Sequence, residues 1–337
     1  MILVTGGAGY LGCVLIEQLL KQGKKVRVYD KLYFDSMGLD KFKNKIELVQ
    51  GDVRDFDERV LDGIQAVAHL GSLSNDPTAE FDPQANTAIN YQGTLNLACA
   101  CKKKRIKKFT FASTCAITGF HPVGFVTEDT EPNPQSEYAL SKLKAEQVLQ
   151  KMADENFCPV ILRQATLYGF SSRMRWDLVI NTFVKDAFYK GRLNVFHGGD
   201  MWRPLVSVQD TALAHILCLQ APEEKVRGEI FHIVFKNFRI LELAHRVKEI
   251  LRPYLPVEVD VVFGATEYRS YSVAGEKIDT VLGFKPSIDI KEAVLEIYQI
   301  LTKGEYADFN NPKYYNIQWM RLLSEMEKRL EKIGKVL

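Results

Sequence analysis

Short apolar runs alternate with longer stretches in which apolar residues recur every three or four positions, and this alternation organises the first half of the chain. Residues 1–5 (M-I-L-V-T) predict a buried strand, and Leu11, Val14, Leu15, Leu19 and Leu20 follow helical spacing up to Gly23, a C-cap residue. Further strands are predicted at 25–30, 46–50, 64–70 and 108–113, with helical stretches between several of them. Strands joined this way need crossover connections, so the pattern implies an α/β fold with a doubly wound parallel sheet covered on both faces. Two long helices, 82–103 and 135–155, precede a strand at 159–163. From 166 to 300 the pattern loosens into short mixed elements, which predicts a smaller second lobe. Residues 316–332 read as an amphipathic helix, at the surface or at a subunit contact. There is no internal repeat and no low-complexity linker.

Composition narrows the function classes. The chain has 337 residues, and 44 Lys and Arg against 42 Asp and Glu leave a formal charge of +2, which argues against electrostatic binding of nucleic acid or an anionic membrane. The basic tract Lys102, Lys103, Lys104, Arg105, Lys107 and Lys108 follows a helix, where cations complement the dipole and stay solvated. No window approaches the ~18 apolar residues of a membrane span, and Met1 runs straight into a strand, so the expected location is the cytoplasm. Six scattered cysteines form no Cys-x-x-Cys pair and no Cys/His cluster, so neither a disulfide framework nor a metal site is expected.

The candidate chemistry begins at 5–12, T-G-G-A-G-Y-L-G, between the first strand and the first helix. Glycines there let the backbone turn tightly against a pyrophosphate at a helix N-terminus. Asp30 closes the second strand, where a carboxylate accepts from adenosine ribose hydroxyls and repels a 2′-phosphate; this favours NAD over NADP, with Lys31 beside it acting against that preference. Tyr138 and Lys142 lie one helical turn apart on one face. An ammonium there stabilises a phenolate and brings the phenol towards a working range as acid or base. The hydroxyls of Ser113 and Thr114 follow the fifth predicted strand, at the end of a parallel sheet where catalytic groups collect.

With these motifs the chain resembles the extended short-chain dehydrogenase/reductase family, in its nucleotide-sugar epimerase and dehydratase branch. The resemblance rests on the turn at 5–12, G-D-V at 51–53, H-L-G-S at 69–72, N-Y-Q-G-T-L-N-L at 90–97, Ser113 with Thr114, and Tyr138 with Lys142. It continues through Leu162 and Arg163, Tyr168 and Gly169, Arg203 and Pro204, and V-Q-D at 208–210, and is weakest after about residue 300. It implies a Rossmann-type NAD-binding domain at 1–165, a nucleotide-sugar lobe at 166–337 and a homodimer built on the helices at 82–103 and 135–155. It also implies that Gly6, Gly9, Tyr10, Leu11, Gly12, Asp30, Lys31 and Asn90 bind the cofactor. Asp52 and Val53 would hold its adenine, Leu70, Gly71 and Ser72 would line it, and Lys142 would bind its ribose. Thr114 and Tyr138 would act on the sugar, with Ser113, Asn181, Arg203 and Arg269 contacting the substrate.

The departures sharpen the activity. Dehydratases of the branch carry an Asp-Glu pair after the Thr, whereas this chain has Cys115 and Ala116, which argues against 4,6-dehydration. Thr118 stands where a Tyr is usual. The expected reaction is therefore an NAD-dependent epimerisation, most simply at C4 through a transient 4-keto-sugar. A keto-sugar nucleotide reductase shares the fold, and a non-catalytic dinucleotide sensor is the alternative from another class. Cys115 reads as a packed residue beside the site and His121 as a solvated or structural one. Arg173, Arg175 and Trp176 either clamp a phosphate or base or rigidify their loop.

Overall fold

Leu3 and Val4 face opposite sides of one sheet, as alternation along a strand requires, and each is fully buried. Burial on both faces is the condition under which parallel strands become continuous apolar runs. The computed structural model describes residues 1–121, 124–264 and 270–334. Its strands are β1 (Ile2–Thr5), β2 (Val26–Asp30), β3 (Ile46–Gln50), β4 (Ala66–His69), β5 (Lys108–Thr114) and β6 (Cys158–Gln164), followed by β7 (Thr166–Tyr168), β8 (Arg192–Phe196), β9 (Trp202–Ser207), β10 (Ile230–Ile233), β11 (Lys236–Arg239) and β12 (Glu258–Val262). Seven of them form one sheet in the order β10-β6-β5-β4-β1-β2-β3, with every neighbouring pair parallel.

This is the doubly wound, Rossmann-type sheet that the alternation predicts. Val4, Val28, Ala66 and Ala68 pack against the helices Tyr10–Lys21 and Val208–Gln220 on one face, while Leu3, Val67, Phe109 and Phe111 meet Thr94–Lys103 and Glu137–Met152 on the other. The strand order reverses at β1, between β2 and β4, so a crevice opens at the carboxyl ends of these strands. A smaller mixed sheet, β11-β9-β7, and the pair β12-β8 lie outside it. The large sheet is completed late: β10, from the second half of the chain, pairs in parallel with β6.

The helix expected at 82–103 is broken. Helices Asp76–Phe81 and Pro83–Thr87 precede a π-wound stretch, Ala88–Gly93, and then Thr94–Lys103. Pro83 has no N–H to continue a preceding helix, so Asp82 starts a new one by accepting from the Ala85 N–H at 2.9 Å. The helix Glu137–Met152 begins where the Ser136 hydroxyl accepts from the Ala139 N–H at 3.2 Å, which sets Tyr138 in its first turn. The basic tract is largely paired: Lys102, Lys103 and Lys104 meet Asp154, Glu58 and Asp62 at 2.6, 2.9 and 2.8 Å. Among the described residues no helix is long and apolar enough to cross a membrane.

Candidate active site

The crevice at the end of β1 opens into a cleft walled by the turn after β1, the ends of β2 and β4, and Ala112 and Ser113 of β5. Gly6 has φ +68°, and a Cβ there would lie 2.7 Å from the backbone of Gly71; a Cβ on Gly12 would lie 2.5 Å from the Gly6 carbonyl. Both positions must be glycine for the turn to close against the loop after β4. The turn leaves a backbone cradle that a side chain would fill, lined by Gly6, Gly9, Tyr10, Leu11 and Gly12.

Asp30 closes the cleft's second wall. Its carboxylate accepts from the N–H groups of Ala8 at 2.9 Å and Leu32 at 2.8 Å, and each oxygen keeps capacity for a further donor. Burial raises its pKa, while those two N–H groups and Arg173 act in the opposite direction. Asp52, with Val53 on the same wall, is ringed by cations: burial raises it, but the Arg54 fork and Lys31, 3.3 Å away, bring it down to about 2. Leu70, Gly71 and Ser72 form the opposite wall. Asn90 does not reach the cleft. It is buried behind that wall, bonding the backbone N–H and carbonyl of Leu73 at 2.8 and 3.0 Å, so it shapes the wall where a cofactor contact was expected.

Where β5 ends, Tyr138 and Ser113 line the same cleft. The Tyr138 phenol is hydrogen-bonded to Thr114, whose Oγ1 also accepts from the Ala116 N–H at 3.1 Å. Burial raises the phenol, Asp76 adds to the rise, and Thr114 and the charge of Arg175 oppose it. The expectation that Lys142 makes this phenol acidic is not met in this structure. Lys142, 1% exposed, donates to the Ala112 carbonyl at 2.8 Å and sits over the Phe111 ring; burial lowers it to about 7, with Glu146 opposing. Ser113 spends its hydroxyl on Glu146 at 2.5 Å, part of a buried pair with Arg163, and so does not offer that proton to a sugar.

Two of the expected substrate contacts stand outside the cleft. Asn181 is fully buried behind it, accepting from the Gly169 N–H at 3.1 Å and donating to the Tyr10 hydroxyl and the Arg175 carbonyl. Arg203 lies on β9 with its guanidinium 5.8 Å from the Tyr271 ring centre, donating to the Trp202 carbonyl. Arg269 lies outside the described residues. Cys115 is fully buried, donates to the Arg163 carbonyl at 3.1 Å and has its thiol pushed up by burial, so it packs and does not ionise.

Arg173 and Arg175 both line the cleft. Arg175 is held by Asp177 through two bonds of 2.9 Å. The cleft also takes Phe34, Ser74, Asn316 and Met320, none of which belongs to a motif in the sequence. The signal for Asn316 was present: it shares an apolar helical stripe with Trp319, Met320 and Leu323, a polar residue where the pattern wants an apolar one.

The NAD dependent epimerase/dehydratase family model matches residues 2–233. The chain belongs to this family. It is 27% identical over 319 residues to a putative UDP-glucose 4-epimerase of Methanocaldococcus jannaschii, covering 88% of this chain and 97% of that one. It is 28% identical to a UDP-glucose 4-epimerase of Lactobacillus helveticus, over 85% of this chain and 92% of the relative. The solved UDP-glucose 4-epimerase of Thermotoga maritima, with UDP-glucose, superposes with a TM-score of 0.79 at 25% identity, covering 90% of this chain and 99% of the other. This family member is an NAD-dependent enzyme, and the cleft fits the cofactor: a glycine cradle for a pyrophosphate, a carboxylate at the end of β2, and a buried Arg173 Nε without a hydrogen-bond partner among the described residues.

Proposed function

We propose that the protein inverts C4 of a nucleotide-diphosphate sugar through a transient 4-keto-sugar, with a uridine diphosphate sugar as substrate. The observation that carries this reading is that Tyr138, bonded to Thr114, shares one cleft with the glycine turn, while Cys115 and Ala116 stand where dehydration needs two carboxyl side chains. The named relatives support the uridine nucleotide.

NAD, when bound, supplies the acceptor for the C4 hydride and afterwards its donor. The chain does the rest. The Tyr138 phenolate takes the proton of the C4 hydroxyl and gives it back once the opposite face of the ketone is presented, so no proton or electron pair is lost over a full turnover. Thr114 hydrogen-bonds the same sugar oxygen, and Lys142 is assigned to the nicotinamide ribose. Arg175, fixed by Asp177, adds a positive charge that lowers the phenol. Binding energy from the diphosphate holds the ketone through its rotation.

On this reading residues 1–165 carry the cofactor chemistry and 166–337 the nucleotide sugar, with Asn316 and Met320 reaching back to the cofactor cleft. A homodimer through Thr94–Lys103 and Glu137–Met152 belongs to the same proposal, and the six free cysteines suit a reducing, cytoplasmic setting. The deciding experiment is product NMR with UDP-glucose and UDP-galactose: interconversion without net change in NADH absorbance is expected, and Tyr138→Phe should lose it while retaining NAD. Stoichiometric NADH consumption by a keto-sugar nucleotide would replace this reading with a reductase.

A further inference from the structure

Asn316 is the one buried residue among those of the helix Asn316–Ile333, and it is buried in the cofactor cleft. Its side chain joins two walls. Its Oδ1 accepts from Arg173 Nη2 at 2.8 Å, and its Nδ2 donates to the Ser74 hydroxyl, after β4, at 3.2 Å. Its backbone N–H donates to Asp177 at 3.3 Å. The third wall is tied as well: Trp319 Nε1 donates to the Tyr33 carbonyl, and Lys313 pairs with Asp35 at 2.7 Å, both in the loop after β2. Arg173 itself lies 4.0 Å over the Phe34 ring of that loop, 7% exposed.

We propose that the segment 313–320 is a clasp on the dinucleotide, and that Arg173, held by Asn316, is its pyrophosphate ligand. The guanidinium is buried, lines the cleft and has an Nε with no hydrogen-bond partner among the described residues. A donor of that kind takes an anionic group, and the anionic group of NAD is its pyrophosphate. Phe34 fixes the guanidinium plane from one side and Asn316 from its edge. The clasp spans the cleft from the ends of β2, β4 and β7, so a bound dinucleotide leaves only after these ties break. An epimerase needs such retention, because cofactor lost between the two hydride steps strands the ketone. The proposal rests on the cleft being the NAD site and does not depend on which sugar is turned over.

The test is the rate at which NAD leaves the loaded, full-length protein without any sugar, followed by displacement with excess ethenoadenine NAD. Trp319→Ala loosens the clasp from outside the cleft, Lys313→Ala removes the partly exposed pair with Asp35 and the cation over the Trp319 ring, and Arg173→Met removes the ligand. Release about tenfold faster or more is expected for Trp319→Ala and Arg173→Met, with a smaller rise for Lys313→Ala and none for Arg321→Ala, which stays clear of the cleft. If Trp319→Ala does not fold, as judged by circular dichroism, Lys313→Ala and Arg173→Met decide. Release rates equal to wild type in folded variants overturn the clasp and leave the epimerase reading intact. Failure of wild-type protein to bind NAD overturns the cofactor site and the clasp together.

Discussion

Lys142 Nζ donates to the carbonyl of Ala112 at 2.8 Å, within a shell that leaves the side chain 1% exposed. A helical turn places Tyr138 and Lys142 on the same face, and in this structure the ammonium is bonded to the Ala112 carbonyl of β5. Its cost to the fold has a sign. The folded value, about 7, lies below the ordinary one of 10.5, so burying the cation destabilises the protein fully below pH 7, and the penalty fades as pH rises towards 10.5. Lys142→Met should therefore stabilise the protein by roughly 1–3 kcal/mol at pH 7, less what the unpaired Ala112 carbonyl takes back, with the gain disappearing near pH 10. Denaturant titrations at pH 7 and 10 check it. A variant less stable than wild type at pH 7 would show the ammonium to be worth more in place than it costs.

Arg175 is one of two groups that pull the Tyr138 phenol down against its burial, Thr114 being the larger. Burial holds the phenol high and Arg175 acts against it. As a base the phenol must be deprotonated, so kcat/KM should climb with pH on its acidic side. Arg175→Gln should move that limb about one unit to higher pH, and Arg175→Lys should return most of it. A limb that stays in place in both variants would assign the control elsewhere.

Gly12 leaves no room for a side chain. A Cβ would meet the Gly6 carbonyl at 2.5 Å and Gly7 Cα at 2.6 Å, both backbone atoms that cannot rotate away. Gly12→Ala should therefore open the turn and weaken NAD binding on the order of 10- to 100-fold, measured by calorimetry. Unchanged affinity would mean that the turn does not touch the cofactor.

Acid should weaken the fold well before carboxylates titrate. His69, His215 and His232 are buried and each is pushed down to about 3, with burial the main cause. Below about pH 6.5 the unfolded chain binds three protons that the native state refuses, so stability is complete above that pH and is lost as pH falls towards 3. The slope should reach up to ~1.4 kcal/mol per pH unit for each imidazole. Denaturation midpoints between pH 7 and 5 report it, and a level profile would contradict the burial of these rings.

What the sequence made legible was local. The glycine turn, Asp30 and the first strands follow from spacing within about thirty residues, and the sheet uses them as expected. Tyr138 was legible as a face, because periodicity fixes where a helical residue points. The direction of Lys142 was not, since a long flexible stem can turn to either of two neighbours, and a carbonyl on another strand decided it. Asn90 and Asn181 are polar residues whose partners, Leu73 and Gly169, are brought to them by folding, and they serve the walls. Asn316 meets Ser74 across more than two hundred residues, a juxtaposition that no local pattern carries.

The late pairing of β10 with β6 has a consequence for how the protein is made. Until residues 230–233 emerge from the ribosome, β6 presents an open row of amides and carbonyls in a nascent chain that already contains the whole nucleotide-binding turn. A fragment cut at 165 keeps that exposed seam permanently and is a natural seed for aggregation. The two halves are therefore products of one synthesis, and separate expression of either is a poor route to its chemistry.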